Sequence, residues 1–565
     1  MSYNLLDEKW IPVIWRCGKP EKVGIRDALT KAWEIREIHG PSPLDTVALY
    51  RFFLAFLQWC KPEPTEEETA AVRRSYGFPP EWFSDQAPKA RGESADRFEL
   101  VGEDNSFYQL DTSAPPKTGA TALIHELPSG TNVAHFRHVR DMRDGLCPGC
   151  CAVGLTRLPA FTTSKGSGNY PGINQVPPMY VMPVGKTLLE TLLRNWPMRT
   201  AADDHPNWDS GKAAPKANAE VGPLEGFTWL PRQVQLGPQD PAGGCCAWCG
   251  ERTQGIRRKM TRLKPAKTEV EPLKARVLRG KWRDPHVGYL KMPAKSKTGE
   301  GVDTGALKAP DALDEHLGDN GFWRQIWDLL LSQSKPDGYV GPPSSTAKAF
   351  VSAEVADIVT AKVVSFATVK NDKYLDAWAK SLHLPVSVLR EPERGAIIQA
   401  QLAWLGDVVH AALDPRTGSW KQPVGKLAGA ALLRCLTPRA DRKCHNLRAA
   451  LASLNGQAES EFEQNFRAFI RDVASTEQGK LQDTAKAFRQ RAHGILLRYL
   501  REAATSTASG SPLRRREMAR RVEWALEQAL SQVEEKAPRK DARPPEPAQQ
   551  QSTTPERRKG KRGEA

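Results

Sequence analysis

The sequence predicts an α+β protein, with a mixed α/β N-terminal domain followed by an all-α C-terminal four-helix bundle. Short apolar runs typical of strands, separated by Gly and Pro, occupy much of the first 390 residues. Two Cys-X-X-Cys pairs lie about a hundred residues apart within that region. From Glu391 onward, apolar residues recur at spacings of three and four, the pattern of amphipathic helices.

Length and composition favour a folded protein with an anionic partner. The 565 residues are enough for roughly three or four domains. Hydrophobic residues make up 40% and charged residues 26%, so most of the chain can fold around apolar cores. The net charge of +15 favours a polyanionic partner. Ribosome-associated and membrane-surface proteins share such an excess, so charge alone does not identify the partner.

The N-terminal 61 residues alternate strand-like runs, WIPVIWR and PEKVGI, with helical segments. The apolar run from Val47 to Cys60 predicts a buried helix, with Ser42 as its N-cap, Pro43 at its first position and Asp45 three residues on. This run is too short to span a bilayer, and Arg51 interrupts it. The opening MSYNLLDEKW lacks the basic start of a signal peptide. We therefore expect a cytoplasmic protein with reduced thiols and no membrane partner.

The remainder of the N-terminal domain, predicted over residues 1–390, is less regular. Residues 62–160 mix helix and loop, and residues 161–390 are rich in Gly and Pro. Within the second stretch, three runs predict short strands: YVMPVG, ARVLRG and AKVVSFATV.

The C-terminal region predicts four successive helices, at about residues 393–413, 457–474, 481–503 and 512–534. Their apolar spacing is illustrated by Phe462, Phe466, Phe469 and Val473. Modest connections favour a four-helix bundle over residues 391–536, although any all-α domain would show this pattern. The remaining residues, 537–565, are of low complexity and carry eight Lys or Arg against four Asp or Glu. We predict a disordered basic tail there.

Basic residues are concentrated between Arg252 and Lys297. This segment holds fifteen Lys or Arg and three Asp or Glu, a net charge of +12 out of the +15 of the whole chain. Its aromatic residues are few, Trp282 and Tyr289, so contact with a phosphate backbone is favoured over base stacking. The alternative is a solvated loop whose charge is incidental.

The two cysteine pairs predict a metal site, and they are Cys147 with Cys150 and Cys246 with Cys249. Each pair can present two thiolates to one ion, and zinc suits a tetrahedral set of four. Four thiolates leave no open position for water, so we expect structural Zn²⁺ and no Lewis-acid role. Cys151 and Cys245 are adjacent spare thiols, and a redox pair or unliganded thiols remain the alternatives. The fold prediction thus includes a structural zinc site in the N-terminal domain.

No combination of residues predicts catalysis. PVGKT ends like a phosphate-binding loop, but Tyr180 stands where that motif requires its first Gly. HExxH, GxSxG and a His-Asp doublet are absent from the sequence. His410 and His493 lie on predicted helical faces, where a structural role is expected. We therefore expect no enzyme activity and assign no catalytic residue.

Several segments in order resemble the CasA family, the large subunits of the type I-E CRISPR surveillance complex Cascade. They are NLLDEKWIPV, IRDALTKAWEI, LCPGC, the loop GSGNYPG, a second Cys pair followed by Gly, a basic segment and a helical C-terminal region. The resemblance covers nearly the whole chain apart from the tail. It implies a zinc-bearing α/β domain followed by the helical bundle.

The resemblance also implies a function and partners. The family's subunit recognises the protospacer-adjacent motif (PAM) in target double-stranded DNA, helps to open the duplex for pairing with CRISPR RNA (crRNA), and recruits a separate helicase-nuclease. The implied partners are therefore target DNA, the other Cascade subunits with crRNA, and that helicase-nuclease. The competing prediction is a zinc-containing RNA-processing enzyme or a zinc-ribbon nucleic-acid-binding factor. An enzyme should carry a paired acid and base near the Gly-rich loop.

The family's DNA-contacting segments can be placed on this sequence. The glycine loop corresponds to Gly166, Ser167, Gly168 and Asn169. The loop before the first cysteine pair corresponds to residues 132–138, including Asn132 and Phe136. A lysine finger corresponds to Lys264, with Lys267 and Lys259 as alternatives. The strand-separating wedge corresponds to the VKNDKY turn, where Asn371 and Lys373 stand in place of the family's frequent glutamine.

Overall fold

The computed structural model describes most of the N-terminal half of the chain and part of the helical region. The described residues are 3–83, 95–101, 106–110, 112–127, 145–161, 179–196, 204–208, 221–263, 284, 286–291, 307–308, 339–340, 358–368, 375–385, 388, 391–413, 461–507, 512, 513, 516, 520 and 527.

The chain divides into two compact units. The larger consists of residues 1–406 and 448–496, and the smaller of residues 407–447 and 497–565. The strands and all side-chain contacts described below belong to the larger unit. That unit includes the start of the helical region, and the predicted domain boundary after residue 390 stays a prediction.

The N-terminal residues form a small antiparallel sheet. Its central strand β1 (Ile11–Trp15) pairs with β2 (Pro20–Val23) and with β3 (Ile35–Ile38). Helix α1 (Ile25–Thr30) connects β2 to β3. Gly18 adopts a φ of 88°, which the tight turn between β1 and β2 requires. Both strand predictions for this region are confirmed.

Helix α2 (Pro43–Cys60) forms the centre of the larger unit. Its N-terminus carries the predicted cap, since the Ser42 hydroxyl accepts a hydrogen bond from the Leu44 amide and the Asp45 carboxylate accepts one from the Ser42 amide. Every residue from Leu44 to Trp59 is buried. A helix that is apolar on all faces must be enclosed by other elements, as the sequence predicted.

Further helices and strands surround α2. The helices are α3 (Glu66–Ser75), α4 (Pro148–Phe161), α5 (Leu188–Asn195) and α6 (Pro223–Thr228), with single 3-10 turns at Pro80–Trp82, Ala95–Phe98 and Ala120–Leu123. The strands are β4 (Thr118–Gly119), β5 (Met179–Val184), β6 (Gln233–Leu236), β7 (Gly244–Cys245), β8 (Arg252–Thr253), β9 (Lys259–Leu263), β10 (Val287–Lys291), β11 (Leu307–Lys308), β12 (Tyr339–Val340), β13 (Ile358–Thr368) and β14 (Leu375–Pro385).

These strands form three more antiparallel sheets. The largest has the order β11-β10-β5-β13-β14, and β12 also pairs with β10. A second sheet has the order β4-β9-β6, and β7 pairs with β8 in a two-stranded ribbon. The strands predicted from YVMPVG and AKVVSFATV are confirmed as β5 and β13, whereas ARVLRG lies outside the described residues.

Aromatic side chains fill the core beside α2. The ring of Phe52 lies 5.6 Å from that of Phe107 and 5.7 Å from that of Trp208, and the ring of Phe56 lies 5.4 Å from that of Phe98. Each of these side chains is buried. The edge-to-face geometry of the pairs favours one fixed position of the helix over a sliding apolar contact.

The helical region contains α7 (Pro392–Leu413), α8 (461–475), a 3-10 turn at Gln478–Lys480 and α9 (Leu481–Thr507). The first three predicted helices are confirmed. The fourth lies almost entirely outside the described residues, so the four-helix bundle stays a prediction. The apolar stripe of α8 is buried, and Phe488 of α9 packs against Phe466 and Phe469. No described helix is long and apolar enough to cross a membrane.

Candidate metal centre and nucleic-acid interface

The structure brings the four predicted cysteine ligands together. Cys147 immediately precedes α4 and Cys150 lies in its first turn, whereas Cys246 and Cys249 lie in the connection between β7 and β8. All four Sγ atoms lie within 4.8 Å of one another. The Sγ atoms of Cys147 and Cys249 are 3.7 Å apart.

Backbone hydrogen bonds fix each half of the cluster. The Cys150 amide donates to Cys147 Sγ at 3.4 Å, and the Cys246 amide donates to the Glu251 carbonyl at 2.8 Å. Gly250 has a φ of 76°, a left-handed conformation that Gly adopts without strain. The Ala247 amide donates to the Gly145 carbonyl at 3.0 Å, which joins the two halves directly.

The two spare thiols point elsewhere. Cys151 Sγ lies 3.8 Å from the Leu146 carbonyl oxygen, and Cys245 Sγ lies 3.1 Å from that of Gly250. Burial raises the pKa of Cys151 to about 12. Neither thiol belongs to the four-sulfur group, so the choice of ligands from the sequence agrees with the geometry.

The donor set fits zinc. A Zn–S bond of about 2.3 Å in a tetrahedron places the sulfur atoms about 3.8 Å apart, close to the observed 3.7 Å. Hydrogen bonds from Cys147 and Cys150 lower the pKa of Cys249 to about 7 and hold that of Cys246 well below its ordinary value. Because thiolates are the metal-binding form, these two sulfurs are electrostatically prepared for a cation.

A lysine lies beside the sulfur cluster. Lys22 Nζ on β2 is 4.0 Å from Cys249 Sγ and 2.5 Å from Glu251 Oε2. Burial lowers the pKa of Lys22, but the hydrogen bond to Glu251 more than offsets this effect and raises the pKa above its ordinary value. The retained positive charge stabilises sulfur ligands that carry negative charge, a typical role of outer-sphere groups in metal sites.

A buried arginine connects the second cysteine pair to α2. The guanidinium of Arg157, on α4, lies 5.2 Å from the ring centroid of Trp248, between Cys246 and Cys249 in sequence. Arg157 Nε is 2.6 Å from Asp45 Oδ1, and its Nη1 is 2.5 Å from Glu126 Oε2. The carboxylate that caps α2 therefore also binds the helix that carries the first cysteine pair.

A second buried ion pair joins α2 to the residues before β10. Arg51 Nη1 lies 2.8 Å from Asp284 Oδ1, and Nη2 lies 2.6 Å from Oδ2, a bidentate geometry. The guanidinium also faces the rings of Tyr180, at 4.6 Å, and Phe227, at 4.3 Å. Burial raises the pKa of Asp284, but the charge of Arg51 more than offsets this and holds it below its ordinary value.

Sequence reasoning missed both arginine networks. Arg51 was noted only as an interruption of an apolar run, and Arg157 was not noted at all. A charged residue within an otherwise buried helix predicts a buried partner, because an unpaired charge is costly there. That signal identifies the arginines but not the partners, which lie far away in sequence.

The predicted DNA-contacting loops fall outside the described residues and stay predictions. This applies to the residues assigned to the glycine loop, the lysine finger, the wedge and the loop before the first cysteine pair, namely Gly166, Ser167, Gly168, Asn169, Lys264, Lys267, Asn371, Lys373, Asn132 and Phe136. The alternative lysine, Lys259, is described and lies exposed at the start of β9.

The described residues on either side of two of these segments are well fixed. Before the glycine loop, the Ala160 carbonyl accepts a hydrogen bond of 2.6 Å from the hydroxyl of Tyr180, which follows the loop. Thr368 pairs with Leu375 on either side of the VKNDKY turn. Because Val364 pairs with Tyr180 in antiparallel register, the start of β5 and the end of β13 lie at the same end of the sheet. The glycine loop and the wedge thus attach to one sheet end.

The basic segment is not uniformly available to phosphates. Arg257 is only 7% exposed and donates to the Gly237 carbonyl at 2.6 Å, and Arg258 pairs with Asp240. The expectation that this segment as a whole contacts phosphate is therefore wrong for these two residues, whose side chains are used within the fold. The exposed basic residues in the described part of the segment include Arg252, Lys259 and Arg262.

Comparison with known proteins gives a consistent family assignment. The profile of the family described as CRISPR-associated protein Cse1 matches residues 4–504. A curated relative from Thermus thermophilus, named CRISPR-associated protein CasA/Cse1, is 31% identical over 258 residues, or 42% of this chain. The match spans 49%, about half, of that relative.

Solved structures share the fold. CasA from Thermus thermophilus matches with a TM-score of 0.65 and 21% identity, over 94% of this chain and 100% of that one. Cse1 from Acidimicrobium ferrooxidans gives a TM-score of 0.63 and 18% identity, over 95% and 99%. A chain titled CRISPR RNA-guided surveillance complex gives 0.57 and 16%, over 94% and 99%. The profile match across nearly the whole sequence is decisive, and the chain belongs to the CRISPR-associated protein Cse1 family.

Proposed function

We propose that this chain is the non-catalytic large subunit of a type I-E Cascade complex. In that role it recognises the PAM in target double-stranded DNA, helps to open the duplex for crRNA pairing and recruits the helicase-nuclease. The observation that carries the proposal is the family match over residues 4–504. The fold similarity to a chain of an RNA-guided surveillance complex, over 94% of the sequence, supports assembly with other subunits and crRNA.

The cysteine cluster serves as scaffold in this proposal. Zn²⁺ bound by Cys147, Cys150, Cys246 and Cys249 would supply a fixed crosslink and no reaction step. The crosslink holds the start of α4 against the β7–β8 ribbon. Because α4 ends at Phe161, directly before the glycine loop, a firmly held helix also fixes where that loop begins.

The glycine loop contacts the minor groove of the PAM duplex. Gly166 and Gly168 lack Cβ atoms, so the backbone can approach the groove floor closely. The Asn169 amide can donate to the N3 and O2 acceptors of A·T pairs, and such degenerate contacts suit a relaxed PAM choice. The turn at Asn371 attaches to the same sheet end and acts as the wedge beside the first opened pair. Lys264 adds a cation to the same groove.

Reconstitution tests this function. The chain is co-expressed with crRNA and the partner subunits, and the purified complex is titrated onto duplexes that differ only in the PAM. We expect co-purification and a gel shift that depends on the PAM. Failure to co-purify, or equal binding to every duplex, would contradict the proposal. RNA cleavage by the free chain would favour the RNA-processing alternative.

A further inference from the structure

An aromatic residue stands exposed on the surface beside the N-terminal sheet. Tyr76, directly after α3, is 56% exposed, and it is the aromatic side chain with a large exposed fraction among the described residues. Its ring lies 4.9 Å from that of Trp33. The guanidinium of Arg16 lies 4.8 Å from the centroid of the same Trp33 ring. These three side chains form a platform of two rings and a cation.

The backbone at Tyr76 is in a conformation that tyrosine rarely adopts. Its φ of 58° and ψ of 19° are left-handed, a conformation that Gly and Asn favour at the end of a helix. The next residue, Gly77, is held close to the chain, since a Cβ there would lie 2.1 Å from the Thr30 carbonyl oxygen. Backbone stability alone would favour Asn or Gly at position 76, so the exposed ring calls for another explanation.

Unpaired positive charge surrounds the platform. Arg73 and Arg74 lie exposed in the last turn of α3, and Arg16 is exposed beside Trp33. None of these three arginines forms an ion pair with a described residue. The carboxylates on the adjoining strands and helix already face lysines: Glu21 with Lys9 and Lys19, and Asp27 and Glu34 with Lys31.

We infer that Tyr76, Trp33, Arg16, Arg73 and Arg74 form a binding site for single-stranded nucleic acid. A base stacks on the exposed Tyr76 ring, and Arg73 and Arg74 bind the adjoining phosphates. Stacking platforms next to cationic groups are the general means by which proteins hold unpaired strands without sequence preference. The inference rests on the proposed function only for the origin of the strand, because opening a duplex releases one.

The charge favours nucleic acid over a protein partner at this surface. Trp, Tyr and Arg are also the residues that dominate protein interfaces. A protein partner covering the platform would have to bury several guanidinium groups, which is costly unless each finds a carboxylate. Phosphates supply that counter-charge at every nucleotide, and the guanidinium fork matches their geometry.

Oligonucleotide binding by the full-length chain tests the site. The probes are labelled oligothymidylate and oligouridylate, followed by fluorescence anisotropy. Tyr76→Asn removes the ring and suits the left-handed backbone, so we expect binding to weaken about ten-fold while the melting temperature holds or rises. Tyr76→Phe keeps the ring and should bind like the unmutated chain. Tighter binding of one probe identifies the strand as DNA or RNA.

Salt dependence tests the binding of phosphates by the arginines. Gln at both Arg73 and Arg74 should lower the slope of log affinity against log salt by about 0.7 for each phosphate that is no longer neutralised. Gln at both Lys9 and Lys31, whose ammonium groups already face carboxylates, is the matched control and should leave the slope unchanged.

Two results would overturn the inference. One is unchanged oligonucleotide binding by Tyr76→Asn. The other is normal oligonucleotide binding combined with failed assembly into the complex, which would make the surface a protein interface. The proposed function fails separately: a complex that does not distinguish PAM duplexes, yet binds single strands through Tyr76, would refute PAM recognition and retain this site.

Discussion

Two regions of the molecule connect segments that are far apart in sequence, and they do so by different chemistry. In the cysteine cluster, Cys147 meets Cys249, 102 positions later, through soft sulfur atoms held by backbone turns. In the core, Arg51 meets Asp284, 233 positions later, through a fully buried ion pair between two aromatic rings. Both connections brace the elements that lead into the predicted DNA-contacting segments.

The difference lies in what stabilises each connection. Metal binding to four thiolates adds free energy to the folded state directly, because the site does not exist in the unfolded chain. A buried ion pair must first offset the desolvation of both charges, so its net contribution is small. Removing one charged partner is nevertheless costly, since the other is left uncompensated. The two regions should therefore respond differently to single and paired substitutions.

The largest effect is expected at the cysteine cluster. Cys147→Ser removes a ligand of a site whose metal binding is worth on the order of 10 kcal/mol. We expect loss of zinc, a lower melting temperature and poorer solubility, measured by elemental analysis and thermal unfolding. Cys245→Ser is the control, because that thiol points to a carbonyl outside the four-sulfur group. Far less than one zinc per unmutated chain would contradict the metal assignment.

The ion pair should show a non-additive response. Arg51→Met or Asp284→Leu alone should each cost about 3–5 kcal/mol of unfolding free energy, because one buried charge loses its partner. The double variant Arg51→Met with Asp284→Leu should recover most of that loss. Denaturant unfolding measures all three variants. If the double variant is as unstable as the sum of the two single ones, the pair is not the compensating unit described here.

Stability should fall in mild acid. Burial lowers the pKa of His125 to about 4 and that of His286 to about 3, below the value of about 6.5 in an unfolded chain. Between those values the unfolded state binds protons that the folded state does not, so each histidine removes up to about 1.4 kcal/mol per pH unit as pH falls. His286→Gln should flatten this dependence. The same slope in the variant would show that His286 is not responsible.

The smallest effect is expected on the exposed basic surface. Gln at Arg252, Lys259 and Arg262 together should lower the salt dependence of duplex binding by about 0.9 in log–log slope for each phosphate that is no longer neutralised. Arg258→Gln is the control, since that side chain pairs with Asp240. An unchanged slope in the triple variant would mean that this part of the segment is only a solvated surface.

The comparison also shows what the sequence could predict. The cysteine ligands and the cap at Ser42 and Asp45 depend on residues a few positions apart, and their chemistry is visible in a local pattern. The burial of α2 follows from its unbroken apolar run. Strands β1, β5 and β13 follow from short apolar segments between breakers. In each case the information is contained within the element itself.

The remaining features depend on tertiary interactions that local patterns do not contain. Nothing near Arg51 indicates Asp284 as its partner. Counting charges between residues 252 and 297 treats Arg257 like its neighbours, although its side chain is buried against the Gly237 carbonyl. At the end of α3, propensity favours Gly77 as the left-handed residue, but its close approach to Thr30 leaves that conformation to Tyr76. Tertiary packing decides all three.

The central claim is that this subunit recognises the PAM through its glycine loop. The most direct test is the affinity of the assembled complex for duplexes with and without a PAM, measured for Gly168→Asp. Bulk and negative charge at the groove floor should strongly weaken PAM-duplex binding, with an unchanged melting temperature and normal assembly with crRNA. Gly479→Asp adds the same carboxylate where a new Cβ meets nothing within 4 Å, and should bind normally. Unimpaired PAM-dependent binding by Gly168→Asp would contradict the account.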